Sequence, residues 1–246
     1  MTDEHPAEGP AHVTPFPPGG IAVVFGASGG IGSALMARLR GRPDFSFVSG
    51  YSRASATPLD LGAESTIEAA AAEVLRLGAD LRLLIDATGV LEGDGCVAEK
   101  SWRQLDPAAL SRAFAVNAIG PALLMKHFLP LLPRRGKCVF ATLSARVGSI
   151  GDNRLGGWYG YRASKAALNQ IVRTAAIELR RIRAEAACVA LHPGTVDTSL
   201  SARFAKPGLE VQTPDTAAGR IITVIDTLTS ADTGEFLDQR GRRIPW

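Results

Sequence analysis

Short apolar runs alternate with longer stretches of helical spacing along most of this chain. The runs, rich in β-branched and aromatic side chains, cover residues 21–25, 45–51, 81–87, 137–142 and 185–191. Between and after them, apolar positions recur every three or four residues over 31–40, 64–77, 110–132, 158–183 and 214–228. The first pattern predicts strands, the second helices, and their alternation predicts strand–helix–strand units. Such units build a parallel sheet covered on both faces, whose buried strands read as nearly unbroken apolar runs. Leu81-Arg82-Leu83-Leu84-Ile85 is close to one. The expected fold class is α/β, a single doubly wound parallel sheet with helices on both faces.

Residues 1–19 break the pattern, with five prolines and almost no large apolar side chains. They bury too little surface to offset their ordering entropy and are expected to form a mobile leader. One domain is expected from Gly20 to Trp246, and 246 residues fit one α/β domain. The composition, 46% hydrophobic and 21% charged, excludes a disordered or fibrous chain. A net charge of +3 is too small to imply a nucleic-acid partner. Asp3, Glu4 and Glu8 stand where a signal peptide needs basic residues. The most apolar stretch, 121–132, is interrupted by Lys126 and His127, so no membrane association is expected. Three cysteines without C-x-x-C spacing argue against a disulfide framework or a metal site and fit a reducing cytoplasm.

The first predicted strand runs directly into Gly26-Ala27-Ser28-Gly29-Gly30-Ile31-Gly32, where a helix begins. Gly26 permits a tight turn off the strand, Gly30 a close approach to a pyrophosphate, and Gly32 close packing of helix on sheet. Open N–H groups at the start of that helix are suited to phosphate. The spacing G-x-x-x-G-x-G differs from the commoner G-x-G-x-x-G. NAD-binding sites usually present an acidic residue about 20 residues further on. Here the second strand ends Gly50-Tyr51-Ser52-Arg53, with Arg53 lying 21 residues past Gly32. A guanidinium there suits a 2′-phosphate and favours NADP(H) over NAD(H), the alternative being a surface arginine.

A second constellation opens the fourth predicted helix. Tyr161 and Lys165 are four residues apart and share a helix face. An unperturbed phenol, with a pKa of about 10, is a poor acid–base catalyst, and a neighbouring ammonium is expected to lower it. Ser144 follows the strand ending at Thr142, where its hydroxyl can bond a substrate carbonyl oxygen.

Taken together, Gly26-x-x-x-Gly30-x-Gly32, Asp60, Asn117 in Val116-Asn117-Ala118, Ser144, Tyr161-x-x-x-Lys165 and Pro193-Gly194 with Thr198 resemble the short-chain dehydrogenase/reductase family across residues 20–246. Within it, the run from Trp158 to Asn169 and the ending from Gly234 to Trp246 are similar to the C-factor-like and sniffer-like carbonyl reductases. The resemblance implies a Rossmann-type domain in which Tyr161 donates a proton to the carbonyl and Ser144 holds its oxygen. Lys165 would bind the nicotinamide ribose and depress the Tyr161 pKa, and Asn117 would anchor a relay water through a break in its helix. The implied cofactor set is Gly26, Ser28, Gly30, Ile31, Gly32, Arg53, Asp60, Leu61, Gly89, Asn117, Tyr161, Lys165, Pro193, Gly194, Val196 and Thr198. Asp60 is equally suited to cap the next helix. The family's usual N-N-A-G is replaced by Asp86-Ala87-Thr88-Gly89.

The implied activity is NADP(H)-dependent hydride transfer on a small carbonyl or alcohol substrate, by a homo-oligomer. The alternative is a nucleotide-binding signalling or regulatory protein on the same scaffold. Residues 90–100, 145–158 and 198–212 are expected to wall the substrate, with Arg146, Asn153, Arg154 and Gly156-Gly157 forming a lip.

Overall fold

A computed structural model describes residues 15–198 and 210–246. The strands are β1 (Gly20–Phe25), β2 (Phe45–Tyr51), β3 (Leu81–Asp86), β4 (Cys138–Leu143), β5 (Ala186–His192), β6 (Thr195–Val196), β7 (Val211–Gln212) and β8 (Phe236–Asp238). The helices are α1 (Gly30–Arg40), α2 (Glu64–Arg76), α3 (Pro107–Phe114), α4 (Gly120–Phe128), α5 (Tyr159–Ile182) and α6 (Pro214–Thr227). Six strands form one sheet in the order β2-β1-β3-β4-β5-β8, every neighbour parallel. A two-stranded parallel ribbon joins β6 to β7.

β1, β3 and β4 are buried at every position, as their unbroken apolar runs require. Alternate side chains go to opposite faces. Ala22 and Val24 face Leu35, Leu39, Ile221 and Ile225 of α1 and α6. Ile21, Val23 and Phe25 belong to the other layer, with Ile67, Phe128, Leu168 and Val172 of α2, α4 and α5. The sheet is therefore doubly wound, and its strand order reverses between β1 and β3. A crevice opens outside the carboxyl ends of the strands at such a point.

Two expectations need correction. The globular packing starts before Gly20, because Phe16 is 3% exposed and lies 5.4 Å from the Phe45 ring. Residues 1–14 of the expected leader lie outside the described residues. The single helix expected over 110–132 is divided by a π-helical turn at Ala115–Ile119, where the Gly120 N–H bonds the Ala115 carbonyl. The cause is legible in the sequence: Pro121 has no N–H for the carbonyl four residues back, that of Asn117. β8 is too short to stand out as a run and owes its existence to pairing with β5. By length and composition the helical stretch Pro107–Leu131 would also pass as a bilayer span. Leu124, Met125 and Phe128 nevertheless pack into the core, which makes it a core helix.

Phe16→Ala is expected to cost about 3 kcal/mol, in the range for losing a buried phenylalanine. A urea melt with an unchanged midpoint would return the boundary to Gly20.

Candidate active site

The turn between β1 and α1 lies against the loop after β3. Gly26 has a left-handed φ of +75°, and a Cβ there would lie 2.9 Å from the Ala87 carbonyl oxygen. A Cβ on Gly32 would collide with the Gly26 carbonyl, and one on Gly30 would lie 3.0 Å from Thr198 Cγ2. α1 begins without a side-chain cap, so its first N–H groups stay open to a ligand. A cleft of about 310 Å³ extends from this turn, lined among others by Ser28, Arg53, Asp60, Leu61 and Gly89. A backbone cradle that a Cβ would fill, an uncapped helix start and a guanidinium on the cleft wall fit a dinucleotide phosphate.

Individual members of the expected set differ. Ile31 turns its side chain toward the core beside α6, leaving only its backbone for the cleft. Asp60 accepts the Gly62 N–H at 2.9 Å, whereas α2 is preceded by Ala63, so Asp60 does not cap that helix. Pro193, Gly194 and Val196 continue β5 toward Gly30. The Pro193 carbonyl accepts from Gln212 Nε2, and Val196 pairs with Gln212 across the ribbon. Of the expected substrate walls, residues 199–209 lie outside the described residues.

The catalytic candidates converge at the end of β4. Lys165 is 3% exposed and its Nζ donates to the Leu143 carbonyl at 2.8 Å. Ser144, the next residue, is equally buried and donates its Oγ proton to Asn169 Oδ1 at 2.7 Å. Asn117, fully buried in the π turn, accepts the Val90 N–H and donates to the Val90 carbonyl, both at 2.8 Å. Its amide also donates to Ser164 Oγ at 3.1 Å, and Ser164 donates to the Tyr161 carbonyl. Gly89 completes the group: a Cβ on it would lie 3.4 Å from Asn117 Oδ1 and 3.5 Å from Lys165 Nζ.

The electrostatics correct one expectation. Burial pushes the Tyr161 phenol up to about 12 and the Lys165 ammonium down to about 8, against the pull of the Asp86 carboxylate. Lys165 does not hold Tyr161 below its ordinary value here, because the ammonium points at a carbonyl and desolvation governs both groups. Asp86, in place of the family asparagine, is 1% exposed and accepts from the Thr88 backbone, Thr88 Oγ1 and Thr142 Oγ1. Those three donors let a carboxylate serve where an asparagine is usual. His192 is neutral near pH 7, its pKa pushed down to about 4 by burial and by Arg146.

Glu99 escaped the sequence reading. Its carboxylate is 1% exposed and accepts the Gly160 N–H at 3.2 and 3.3 Å, at the start of α5 and one residue before Tyr161. The Glu99 carbonyl accepts from Trp158, which is left-handed at φ +53° and sets its ring edge-on to Tyr161. The expected lip is tied down at several points. Arg162 Nε reaches the Gly157 carbonyl at 2.9 Å, and the Gly151 N–H reaches the Trp246 carbonyl at 2.9 Å. No metal site was expected from the sequence. Glu64, Glu68 and His127 do place ligand atoms within 4.8 Å of one another, but Lys126 already holds Glu64 Oε1 at 2.6 Å.

Fold and site together define a dinucleotide-binding oxidoreductase scaffold, and comparison with known proteins gives it a family. Residues 46–230 match the family model described as enoyl-(acyl carrier protein) reductase, and the chain belongs to the short-chain dehydrogenase/reductase family. It is 33% identical over 189 residues to 1-hydroxy-2-glutathionyl-2-methyl-3-butene dehydrogenase of Rhodococcus sp. (strain AD45), covering 76% of this chain and 78% of that protein. It is 37% identical over 142 residues to the C-signal protein of Myxococcus xanthus, covering 58% of this chain and 81% of that one. Among solved structures, NADPH-bound carbonyl reductase from chicken fatty liver superimposes with a TM-score of 0.82. The two are 26% identical, over 96% of this chain and 97% of that one.

Glu99→Ala strands a buried N–H and is expected to cost about 1–3 kcal/mol. Glu99→Gln keeps an acceptor and should recover most of it. Equal denaturation midpoints for Glu99→Ala and wild type would remove Glu99 from the support of α5.

Proposed function

We propose that this protein is an NADP(H)-dependent oxidoreductase of the carbonyl reductase type, acting on a small carbonyl or alcohol substrate with Tyr161 as general acid and base. The observation that carries this reading is the convergence of Ser144, the Tyr161 helix and Lys165 at the end of β4, beside the glycine cradle. Arg53 on the wall of the cleft and the NADPH-bound chicken relative support NADP(H).

When bound, the nicotinamide supplies or accepts the hydride. The chain's own residues manage the oxygen and its proton. Ser144 has one hydroxyl proton, now given to Asn169, and must turn it to the substrate oxygen to hold it. Tyr161 keeps its proton at neutral pH because burial holds its pKa near 12, so it is charged with the proton that reduction consumes. Lys165 supplies positive charge only while protonated, which burial limits to pH values below about 8. Asn117, whose main-chain carbonyl gets no N–H from Pro121 at the start of α4, is suited to hold a water leading protons out. The regulatory reading is not favoured, since a nucleotide-binding regulator has no need of a buried ammonium beside a serine and a tyrosine.

The proposal includes a homo-oligomer in a reducing cytoplasm, in keeping with three free buried cysteines and with Ile177 and Ile182 left half exposed on α5. Light scattering at micromolar concentration should report a multiple of 25.9 kDa, and a single-chain particle would refute it.

Tyr161→Phe keeps the ring and removes the proton donor, so reductase turnover should fall roughly 100- to 10,000-fold with NADPH binding near normal. Full activity in that variant would sink the mechanism. The regulatory alternative predicts instead a wild type without turnover. Reductive kcat/KM should be level through neutrality and decline above about pH 8, as Lys165 loses its proton. A profile flat to pH 10 contradicts the role given to Lys165.

A further inference from the structure

The cleft assigned to the cofactor holds a negative charge of the protein's own. Arg53, two residues past β2, gives Nη1 to Asp94 Oδ2 at 3.0 Å, across 41 residues of sequence. Asp94 is the tip of a tight turn in which Gly93, Asp94 and Gly95 all have left-handed φ, at +88°, +52° and +81°. Reciprocal backbone bonds between Gly93 and Cys96, at 3.1 and 2.9 Å, close the turn. Arg112 on α3 fixes it from the side, its Nε donating to the Asp94 carbonyl at 3.2 Å. Aspartate and asparagine are among the few side chains that enter the left-handed region readily. The backbone thus aims this carboxylate at Arg53, on the wall of the cleft that also holds Gly26 and Asp60.

We propose that Asp94 tunes cofactor choice: its carboxylate occupies Arg53 until a 2′-phosphate displaces it. This rests on the NADP(H) reading above. The Arg53 and Asp94 side chains are 71% and 53% exposed, and a single-contact pair at that exposure is weak. A phosphate monoester brings close to two charges and three acceptor oxygens, so it wins the guanidinium. Asp94 still subtracts from what the phosphate gains, and as a like charge nearby it favours departure of the used cofactor. A 2′-hydroxyl has no charge with which to compete, so NAD(H) leaves the Arg53–Asp94 pair in place. Asp94 therefore loosens NADP(H) selectively, and Arg53 is the residue through which it does so.

Asp94→Asn removes the charge and keeps a residue that tolerates the left-handed turn, so the fold should be retained by circular dichroism. Dissociation constants for NADPH and NADH, measured by fluorescence titration at low salt, decide the matter. In Asp94→Asn, NADPH should bind about three- to fivefold more tightly and NADH within twofold of wild type. In an Arg53→Ala background the same substitution should give little or no tightening. Unchanged or weaker NADPH binding in Asp94→Asn overturns the proposal, as does tightening that persists without Arg53. Loss of NADH binding would assign Asp94 to a ribose hydroxyl instead. Arg53→Ala alone separates the two levels. If it leaves the NADPH to NADH ratio unchanged, the cofactor assignment fails and the tuning role with it. If it abolishes the preference while Asp94→Asn is silent, only the tuning role fails.

Discussion

A buried ammonium organises this molecule. Lys165 is almost fully removed from water, which is costly for a charge unless the surroundings supply partners. The Leu143 carbonyl accepts a hydrogen bond from it, the Asp86 carboxylate opposes part of the desolvation, and Gly89 clears the space in front of it. Satisfying one charge thus brings together the ends of β3 and β4, the loop after β3 and the first turns of α5. Ser144, next to Leu143, and Asn117, next to Gly89, are placed by the same convergence, while Tyr161 rides on the first turn of α5, four residues before Lys165.

The cofactor cleft depends on a different constraint, the approach of backbone to backbone. Gly26 lies against the Ala87 carbonyl, and Gly32 against Gly26, at separations that leave no room for a Cβ. The strand order reverses between β1 and β3, so the crevice opens where those two loops meet. The uncapped start of α1 borders the crevice, and Thr198, beyond β6, comes against Gly30. The cleft is therefore shaped mainly by main chain, and the candidate catalytic side chains stand one strand away.

Departures from the family pattern are absorbed locally. Asp86 replaces an asparagine and finds three donors, two on Thr88 in the loop after β3 and one on Thr142 of the neighbouring strand. The long segment between Ser144 and Tyr161 is held by Arg162 and by the Trp246 carbonyl. The chain's likeness to the C-signal protein of Myxococcus xanthus bears on the shared scaffold. The proposed redox chemistry rests on Ser144, Tyr161 and Lys165.

The sequence by itself determined the fold class, because a parallel sheet buried on both faces demands unbroken apolar strands and helical spacing between them. It also placed the glycine turn and the Tyr161–Lys165 pair, since both are local: one is a turn directly after a strand, the other two residues on one helix face. A break in the Asn117 helix was implied only by the family resemblance, because the run of apolar residues reads as a single helix. Tertiary structure alone decided the rest. Glu99 meets Gly160 across 61 residues and Asp94 meets Arg53 across 41, separations at which no periodicity links the partners. Phe16 belongs to the core only because Phe45 and Lys137 come to it. The direction of the Tyr161 and Lys165 pKa shifts was likewise out of reach. Helical spacing puts two groups side by side, but desolvation depends on everything packed around them, and that exists only once the chain has folded.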